Sequence, residues 1–372
     1  MTQRRPQARE RTHEGVAGAE TPLLRAIGYG IRAPNPHNTQ AWRFKRVSES
    51  EALLFIDERR LLPATDPPAR QIHIGAGCCI ETLAVGMSLH GYETEVEYLP
   101  AGAHGLEEIG RKPVARITLL PDRAAPQDRL AEFISQRQTN RKPYEGPLLS
   151  TDEEATLRAE AESDGFELLI IRQPEPMRPL LDVFYRAWEI EATTPHLYEE
   201  TRIWFRFNEE QRQRKRDGLS IPQLGIDGLR RWLTEWTLRN GDPKRWFSSL
   251  SIRSTLTSNR KAIDSAKGVV LLKTATNEQL DWLKAGRGFA RLALALTRLG
   301  LTSQPFSQVL QEYPEMAELQ ARFNKLLNVS EPEKIQMAVR VGRAGRAYAA
   351  PRRDPHDFVR DGSVPASVDR SA

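Results

Sequence analysis

The chain has 372 residues, 39% of them hydrophobic and 28% charged, which describes a soluble globular protein too long for one ordinary core and suited to two lobes. Its net charge is +5, but the basic residues between positions 202 and 231 are interleaved with Glu199, Glu200, Glu209, Glu210 and Asp217, the pattern of a solvated face and not of a nucleic-acid surface. No run of about 18 apolar residues is present, which excludes a transmembrane helix and predicts no membrane partner.

Residues 1–19 are polar, with arginines at 4, 5, 9 and 11 and no apolar stretch behind them, so they read as a disordered tail of a cytoplasmic protein and not as an export signal. A helix over 22–31 carries Leu23, Leu24 and Ile27 on one face and leads into Ala33-Pro34-Asn35-Pro36-His37-Asn38-Thr39-Gln40-Ala41-Trp42. That segment joins turn residues to the side-chain amides of Asn38 and Gln40, which suit hydrogen bonding to the edge of a planar heterocycle. His37 in the same loop is either a local hydrogen-bonding group or a group that moves a proton near neutral pH.

Strands are expected at 42–47 and 52–57 as a hairpin, with a break at Asp66-Pro67 before a helix at 69–90. Cys78 and Cys79 are adjacent in that helix, point apart, and read as core residues. A strand at 114–119 and a helix at 128–136 follow, and the helix delivers Arg137-Gln138-Thr139-Asn140-Arg141. Arg137, Thr139 and Arg141 at i, i+2 and i+4 bring two guanidinium forks and a hydroxyl to one oxyanion, the requirement for holding a phosphate monoester.

After a strand at 166–172 comes a helical, Trp-rich stretch at 176–262 with no counterpart in the first half. Such an insertion reads as structural or lid-like, and Trp204 and Phe205 are candidates to cover a bound ring. A strand at 268–273, a helix at 279–299 and a strand at 338–342 complete the elements. The segment Ala76-Gly77, Leu83-Ala84, Gly91 recurs as Ala285-Gly286, Leu292-Ala293, Gly300, five identities at a constant offset of 209. Both copies are apolar helices with small residues on one face, which predicts that they pack together.

The two motifs resemble those of the FMN-dependent nitroreductase family, and the chain is most similar to its Acg-like branch. The resemblance spans 20–120 and 130–355, apart from the insertion. In that family the phosphate motif precedes the ring motif and the two meet across a homodimer interface. Here the order is reversed. The resemblance therefore implies an α+β nitroreductase-like fold of two fused, half-similar lobes, 20–125 and 126–355, forming a monomeric pseudo-dimer around long central helices, with 356–372 as a C-terminal tail.

It also implies one FMN, and no metal, held by Arg137, Thr139, Arg141, Pro34, Asn35, His37, Asn38 and Gln40. Further site residues follow from it: backbone N–H groups of a loop at Thr302, Ser303 and Gln304, one of Arg352 and Arg353 at the phosphate, and Lys261 near the ring, whose alternative is a solvated surface lysine. Asn35 and Ala41 depart from the family's usual Ser and Pro. The activity so implied is NAD(P)H-dependent two-electron reduction of nitroaromatics, quinones or related acceptors. The alternative is a protein that stores flavin beneath a lid.

Overall fold

The computed structural model describes residues 21–124, 126–162 and 165–360, so the expected tail at 1–19 lies outside the described residues. Helix α1 (Pro22–Gly30) starts where Pro22 supplies a fixed φ and Thr21 Oγ1 accepts from Leu24 N–H at 3.3 Å. Strands β1 (Trp42–Arg46) and β2 (Glu51–Ile56) form the expected antiparallel hairpin. Helix α2 (Arg70–Ser88) follows, then β3 (Tyr92–Tyr98) and β4 (Ala115–Pro121). The second set begins with α3 (Thr151–Ala161), opened by a reciprocal Ser150–Glu153 capping box, and β5 (Glu167–Ile171).

The insertion is built from α4 (Pro174–Thr193), α5 (Pro195–Ile203), β6 (Phe205–Arg206), α6 (Glu209–Lys215), β7 (Leu219–Ser220), α7 (Gly228–Leu238), α8 (Pro243–Trp246) and α9 (Ser249–Asp264). It keeps a small core of its own around Tyr198, Phe205, Phe207, Ile221, Leu238 and Trp246. The chain then supplies β8 (Gly268–Thr274), α10 (Gln279–Arg298), β9 (Thr302–Pro305), α11 (Ala317–Leu326), β10 (Lys334–Gly342) and β11 (Val359–Arg360). Among the described residues no helix is long and apolar enough to cross a membrane.

Two main sheets result, ordered β11-β1-β2-β4-β3 and β5-β8-β10-β9, beside the two-stranded β6-β7 sheet of the insertion. Without β11 they share one design: an antiparallel order in which the last two strands in space are swapped in sequence, with α2 between β2 and β3 and α10 between β8 and β9. Helices α1 and α3 precede the first strand of each set.

The two long helices cross in direct backbone contact. A Cβ on Gly77 would lie 2.1 Å from Leu283 O, and one on Gly286 would lie 2.1 Å from Ile74 O. Both pairs are related by the same 209-residue offset as the sequence repeat, so residue i meets j where the equivalent of j meets the equivalent of i. Cys78 adds a hydrogen bond from its thiol to Gly286 O at 3.1 Å, and both cysteines are free and buried.

Several elements differ from the sequence expectation. Residues 128–136 hold only one 3₁₀ turn (Ala131–Phe133), because Asp128 Oδ1 accepts from Leu130 N–H at 2.9 Å and its Oδ2 takes Arg291 at 2.7 Å, a local bond that competes with the helix. The expected loop at 302–304 is strand β9, whose residues pair with β10 from Val339 to Gly342. The expected tail from 356 begins with ordered structure: Phe358 is buried 6.1 Å from the ring of Trp42, and Val359 and Arg360 pair in parallel with Phe44 and Lys45. Residues 361–372 lie outside the described residues.

In an open helix Gly→Ala stabilises by about 1 kcal/mol. At this crossing the added methyl meets backbone that has no room to move, so Gly77→Ala and Gly286→Ala are each expected to destabilise by about 1–3 kcal/mol in urea titrations, the opposite sign.

Candidate functional site

Between α1 and β1 the chain turns through residues 31–41, and three non-glycine residues there have left-handed backbones: His37 (φ 47), Asn38 (φ 54) and Gln40 (φ 52). Conformations of this kind persist only when the surroundings over-determine them. Here they do. Asn35 Oδ1 accepts from Gln40 N–H at 2.9 Å, and Asn35 Nδ2 donates to Ala33 O at 3.1 Å. Gln40 is fully buried, with Nε2 donating to Arg216 O at 2.9 Å and Oε1 accepting from Arg353 N–H at 3.0 Å. Asn38 Nδ2 donates to Gly218 O and Pro351 O, and Gly218 N–H returns a bond to Asn38 O at 3.1 Å. The insertion and the C-terminal segment thus clamp the loop from both sides.

Beside this loop Arg32, Arg137, Arg141 and Arg352 line a pocket of about 140 Å³ together with Thr139 and Asn38. Among the described residues none of the four has a carboxylate within ion-pairing distance, whereas neighbouring Arg206 is matched to Asp217 at 2.7 Å. Three of the four side chains donate to backbone carbonyls: Arg137 to Arg32 O at 3.2 Å, Arg141 to Gln223 O at 3.2 Å and Arg352 to Ile31 O at 2.6 Å. Burial pushes the guanidinium groups of Arg137 and Arg141 down to about 10, and burial with repulsion from Arg137 and Arg32 pushes Arg352 to about 9. Asn38 Oδ1 is buried at this pocket without a partner. Clustered cations left uncompensated out of water mark an anion site.

The pocket opens past Pro34, Asn35, His37, Thr139 and Arg141 into a cavity of about 700 Å³, within the range of small-molecule sites. Its floor is α2 at Ile74, Gly75 and Cys78, with Phe289 and Gln304 from the second lobe, and its roof is the insertion. A Cβ on Gly75 would lie 3.2 Å from Pro36, so glycine lets the loop lie against α2. His37 Nε2 bonds Thr201 Oγ1 of the roof at 3.2 Å. Burial, then the Arg141 charge, hold its imidazole at about 4, so it is neutral at physiological pH.

The structure therefore gathers Pro34, Asn35, His37, Asn38, Arg137, Thr139, Arg141, Gln304 and Arg352 around one connected space. Others lie elsewhere. Gln40 braces the loop from behind, as above. Ser303 pairs with Thr139, Ser303 O accepting from Asn140 N–H at 2.9 Å, and neither it nor Thr302 faces the cavity. Arg353 turns away, 4.3 Å above the Phe358 ring. Lys261 is exposed on α9 and is outside the cavity wall. Trp204 packs against the guanidinium groups of Arg60 and Arg206 and is outside the cavity wall, while Phe205 does line the cavity. Arg32, Thr201 and Gln223 were missed by motif reasoning. The first carries no motif of its own, and the other two come from an insertion whose placement no local pattern encodes.

Residues 116–343 match the model of the nitroreductase family. A Mycobacterium tuberculosis protein provisionally named NAD(P)H nitroreductase acg is 24% identical over 332 residues, covering 89% of this chain and 91% of its own. A second protein of that organism with the same provisional activity in its name, Rv3131, is 25% identical over 297 residues, covering 79% and 78%. Among solved structures, the FMN-dependent nitroreductase NfnB from Mycobacterium smegmatis, in complex with NADPH, aligns with a TM-score of 0.38 and 17% identity over 63% of this chain and 98% of its own.

The low His37 value carries a stability consequence. The unfolded imidazole takes its proton near 6.5 and the native one only near 4, so its contribution is intact above pH 6.5 and is lost as pH falls between these values. Relative to His37→Gln, the wild-type protein is expected to lose about 2–3 kcal/mol between pH 7 and pH 4 in urea melts.

Proposed function

Because the chain belongs to the nitroreductase family, we propose that it binds one FMN and acts as an NAD(P)H-dependent oxidoreductase that reduces nitroaromatic, quinone or related acceptors in the cytoplasm. The observation that carries this reading is the cluster of Arg32, Arg137, Arg141 and Arg352, half-buried without carboxylates in a small pocket that adjoins the cavity beside the strained loop. A phosphate monoester is the anion such a donor set fits: planar forks converge from several directions and Thr139 adds a hydroxyl.

When bound, the flavin supplies hydride transfer between NAD(P)H and the acceptor. The chain's own residues bind and orient it. In this reading Arg137, Thr139, Arg141 and Arg352 hold the phosphate, with Arg32 behind them. Pro34, Asn35, His37 and Gln304 border the ring, and neutral His37 offers a hydrogen bond there without adding charge. The insertion excludes water. Gln40, Ser303 and Arg353 support the loop and strand that carry these groups, and Lys261 and Thr302 take no part.

The matched sheet topologies and the glycine crossing support a fused pseudo-dimer that is monomeric in solution. One site per chain follows. Where the first lobe has residues 31–41 for its loop, the second connects α3 to β5 through 162–166 alone, and Phe166 packs directly on Gly288. Cavity-lining Cys78 corresponds at the 209 offset to Arg287, which pairs with Glu81 at 2.5 Å and fills the equivalent place with charge.

A second reading, flavin storage, is favoured by the roof's bonds to the loop at His37, Asn38 and Gln40. Turnover separates the two: at about 1 s⁻¹ or faster with NADPH and a nitroaromatic the store is ruled out. Purified protein is expected to be yellow and to release FMN and not FAD, near one per chain. Arg141→Ala and Arg352→Ala are each expected to weaken FMN binding by about 1.5–3 kcal/mol in fluorescence titrations, and Arg353→Ala to leave it unchanged.

A further inference from the structure

Three buried carboxylates surround the cavity, and two of them are fully used. Asp66 caps α2, accepting from Gln71 N–H and Ile72 N–H at 3.0 Å each. Glu200 accepts from Ala64 N–H at 3.0 Å and from Thr65 N–H and Oγ1 at 2.9 and 2.6 Å. Glu191 on α4 is different. It takes hydrogen bonds from Gln311, Gln308 and Thr201, yet it is 5% exposed, lines the cavity, and leaves its Oε2 without a partner.

It is not alone on that wall. Trp188 Nε1, one helical turn earlier, and Oε1 of Gln308 and of Gln311, from the turn after β9, also line the cavity and also lack partners. Four orphaned polar atoms on one wall of a cavity otherwise bordered mainly by apolar groups are costly unless something fills them. Thr201, which hydrogen-bonds Glu191, also bonds His37 at 3.2 Å, so this wall adjoins the ring loop.

Resting on the FMN reading above, we propose that Trp188, Glu191, Gln308 and Gln311 form the acceptor subsite, that it takes an uncharged quinonoid carbonyl acceptor, and that Glu191 as the neutral acid protonates the acceptor oxygen. Bound FMN would supply two electrons and one proton as hydride, and the second proton needed for the hydroquinone would come from Glu191. The Glu191 O–H bond breaks as a new O–H bond forms on the quinone oxygen, giving the hydroquinone. The Glu191 carboxylate then regains a proton from water at the cavity mouth.

The surroundings keep the acid protonated to the right pH. Glu200 and Tyr198 on α5 and Tyr313 beyond the 3₁₀ turn at Gln308–Leu310 are the titratable groups that face it, and none is a cation. Burial is the largest influence, and the Glu200 charge adds to it. Hydrogen bonds from Gln311, Gln308 and Thr201 oppose them, and the carboxyl ends at about 7.

The test uses the flavin-loaded full chain, wild type and Glu191→Gln, reduced anaerobically with dithionite and mixed with 1,4-naphthoquinone in a stopped-flow instrument from pH 5 to pH 9. Wild-type reoxidation is expected to fall as pH rises through 7, and the variant to be about 100-fold slower with no such fall. A variant with the wild-type rate and pH profile overturns the proposal. So does a variant that folds but no longer retains FMN, since Glu191 would then belong to cofactor binding. Wild-type protein that retains no FMN overturns the flavin reading itself, and this proposal with it.

A readout independent of flavin uses the apoprotein. A carboxyl raised from 4.5 to about 7 on folding makes stability fall as pH rises between those values. Glu191→Gln is therefore expected to melt above the wild type at pH 8 relative to their difference at pH 4. An unchanged difference overturns the neutral acid.

Discussion

The contact on which the rest depends is the crossing of α2 and α10, where two glycines let peptide backbones touch. The close approach sets how the two lobes sit against each other, and the cavity lies over α2 with Phe289 and Gln304 of the second lobe in its floor. From α2 the first lobe projects Gly75 under Pro36 of the ring loop, and the chain leaving α10 enters β9, whose outer edge receives Thr139 and Asn140. Both halves of the site are thus referenced to one crossing. A side chain at Gly77 or Gly286 would separate them together, because the obstacle on each side is a carbonyl oxygen and not a flexible side chain.

Electrostatics divide the molecule in two. Elsewhere guanidinium groups are matched by carboxylates, buried Arg206 by Asp217 and half-buried Arg287 and Arg291 by Glu81, while buried Arg340 has its hydrogen bonds taken up by Gln304 and by carbonyls of residues 142 and 262. At the small pocket no carboxylate pairs with the four cations, and three of them donate to backbone oxygens. Uncompensated charge of this kind costs stability in the empty protein, and an anion that enters recovers it, so binding and folding are linked. The roof strengthens the linkage, because an anion shielded from water interacts more strongly with the same four groups.

What the sequence made legible followed from short-range chemistry. The Arg-x-Thr-x-Arg spacing, the first hairpin, the glycine repeat and the long helices are local patterns, and apart from the expected helix at 128–136, which is a single 3₁₀ turn, the elements they predict are present with small shifts at their ends. The side chains of Asn38 and Gln40 read as ring-binding amides because their chemistry permits it. The Gln40 amide is spent instead on Arg216 and Arg353 and the Asn38 Nδ2 on Gly218 and Pro351, partners about 175 to 315 positions away, which leaves only Asn38 Oδ1 free at the pocket. Residues 302–304 read as a loop for the same reason: a four-residue edge strand has no periodicity to detect, and β10 supplies its hydrogen bonds. Arg352 and Arg353 are adjacent and chemically identical, yet Arg352 lines the small pocket while Arg353 lies over the Phe358 ring, which is buried beside Trp42, a contact no local pattern encodes.

The insertion resolves into two layers with different physical standing. Its inner part, α4 and α5 with the β6–β7 pair, is bolted to the first lobe through Glu200 on Thr65, Asp217 on Arg60 at 2.9 Å and Thr201 on His37. Its outer part is α7 to α9, and there the apolar surface is turned outward: Leu229, Trp232, Trp236 and Leu250 are 72%, 60%, 56% and 79% exposed, and Leu238 is the one buried residue of α7. The cavity runs on beneath this outer layer, past Leu233, Thr237, Ser251 and Thr255. Opening the inner layer would break charge-assisted bonds and release the strained loop. Displacing the outer layer sacrifices little buried area, and small buried area is what marks the low-stability end of a fold. The outer layer is therefore the part of the roof that can give way most cheaply, while the inner layer keeps the loop and the arginines in register.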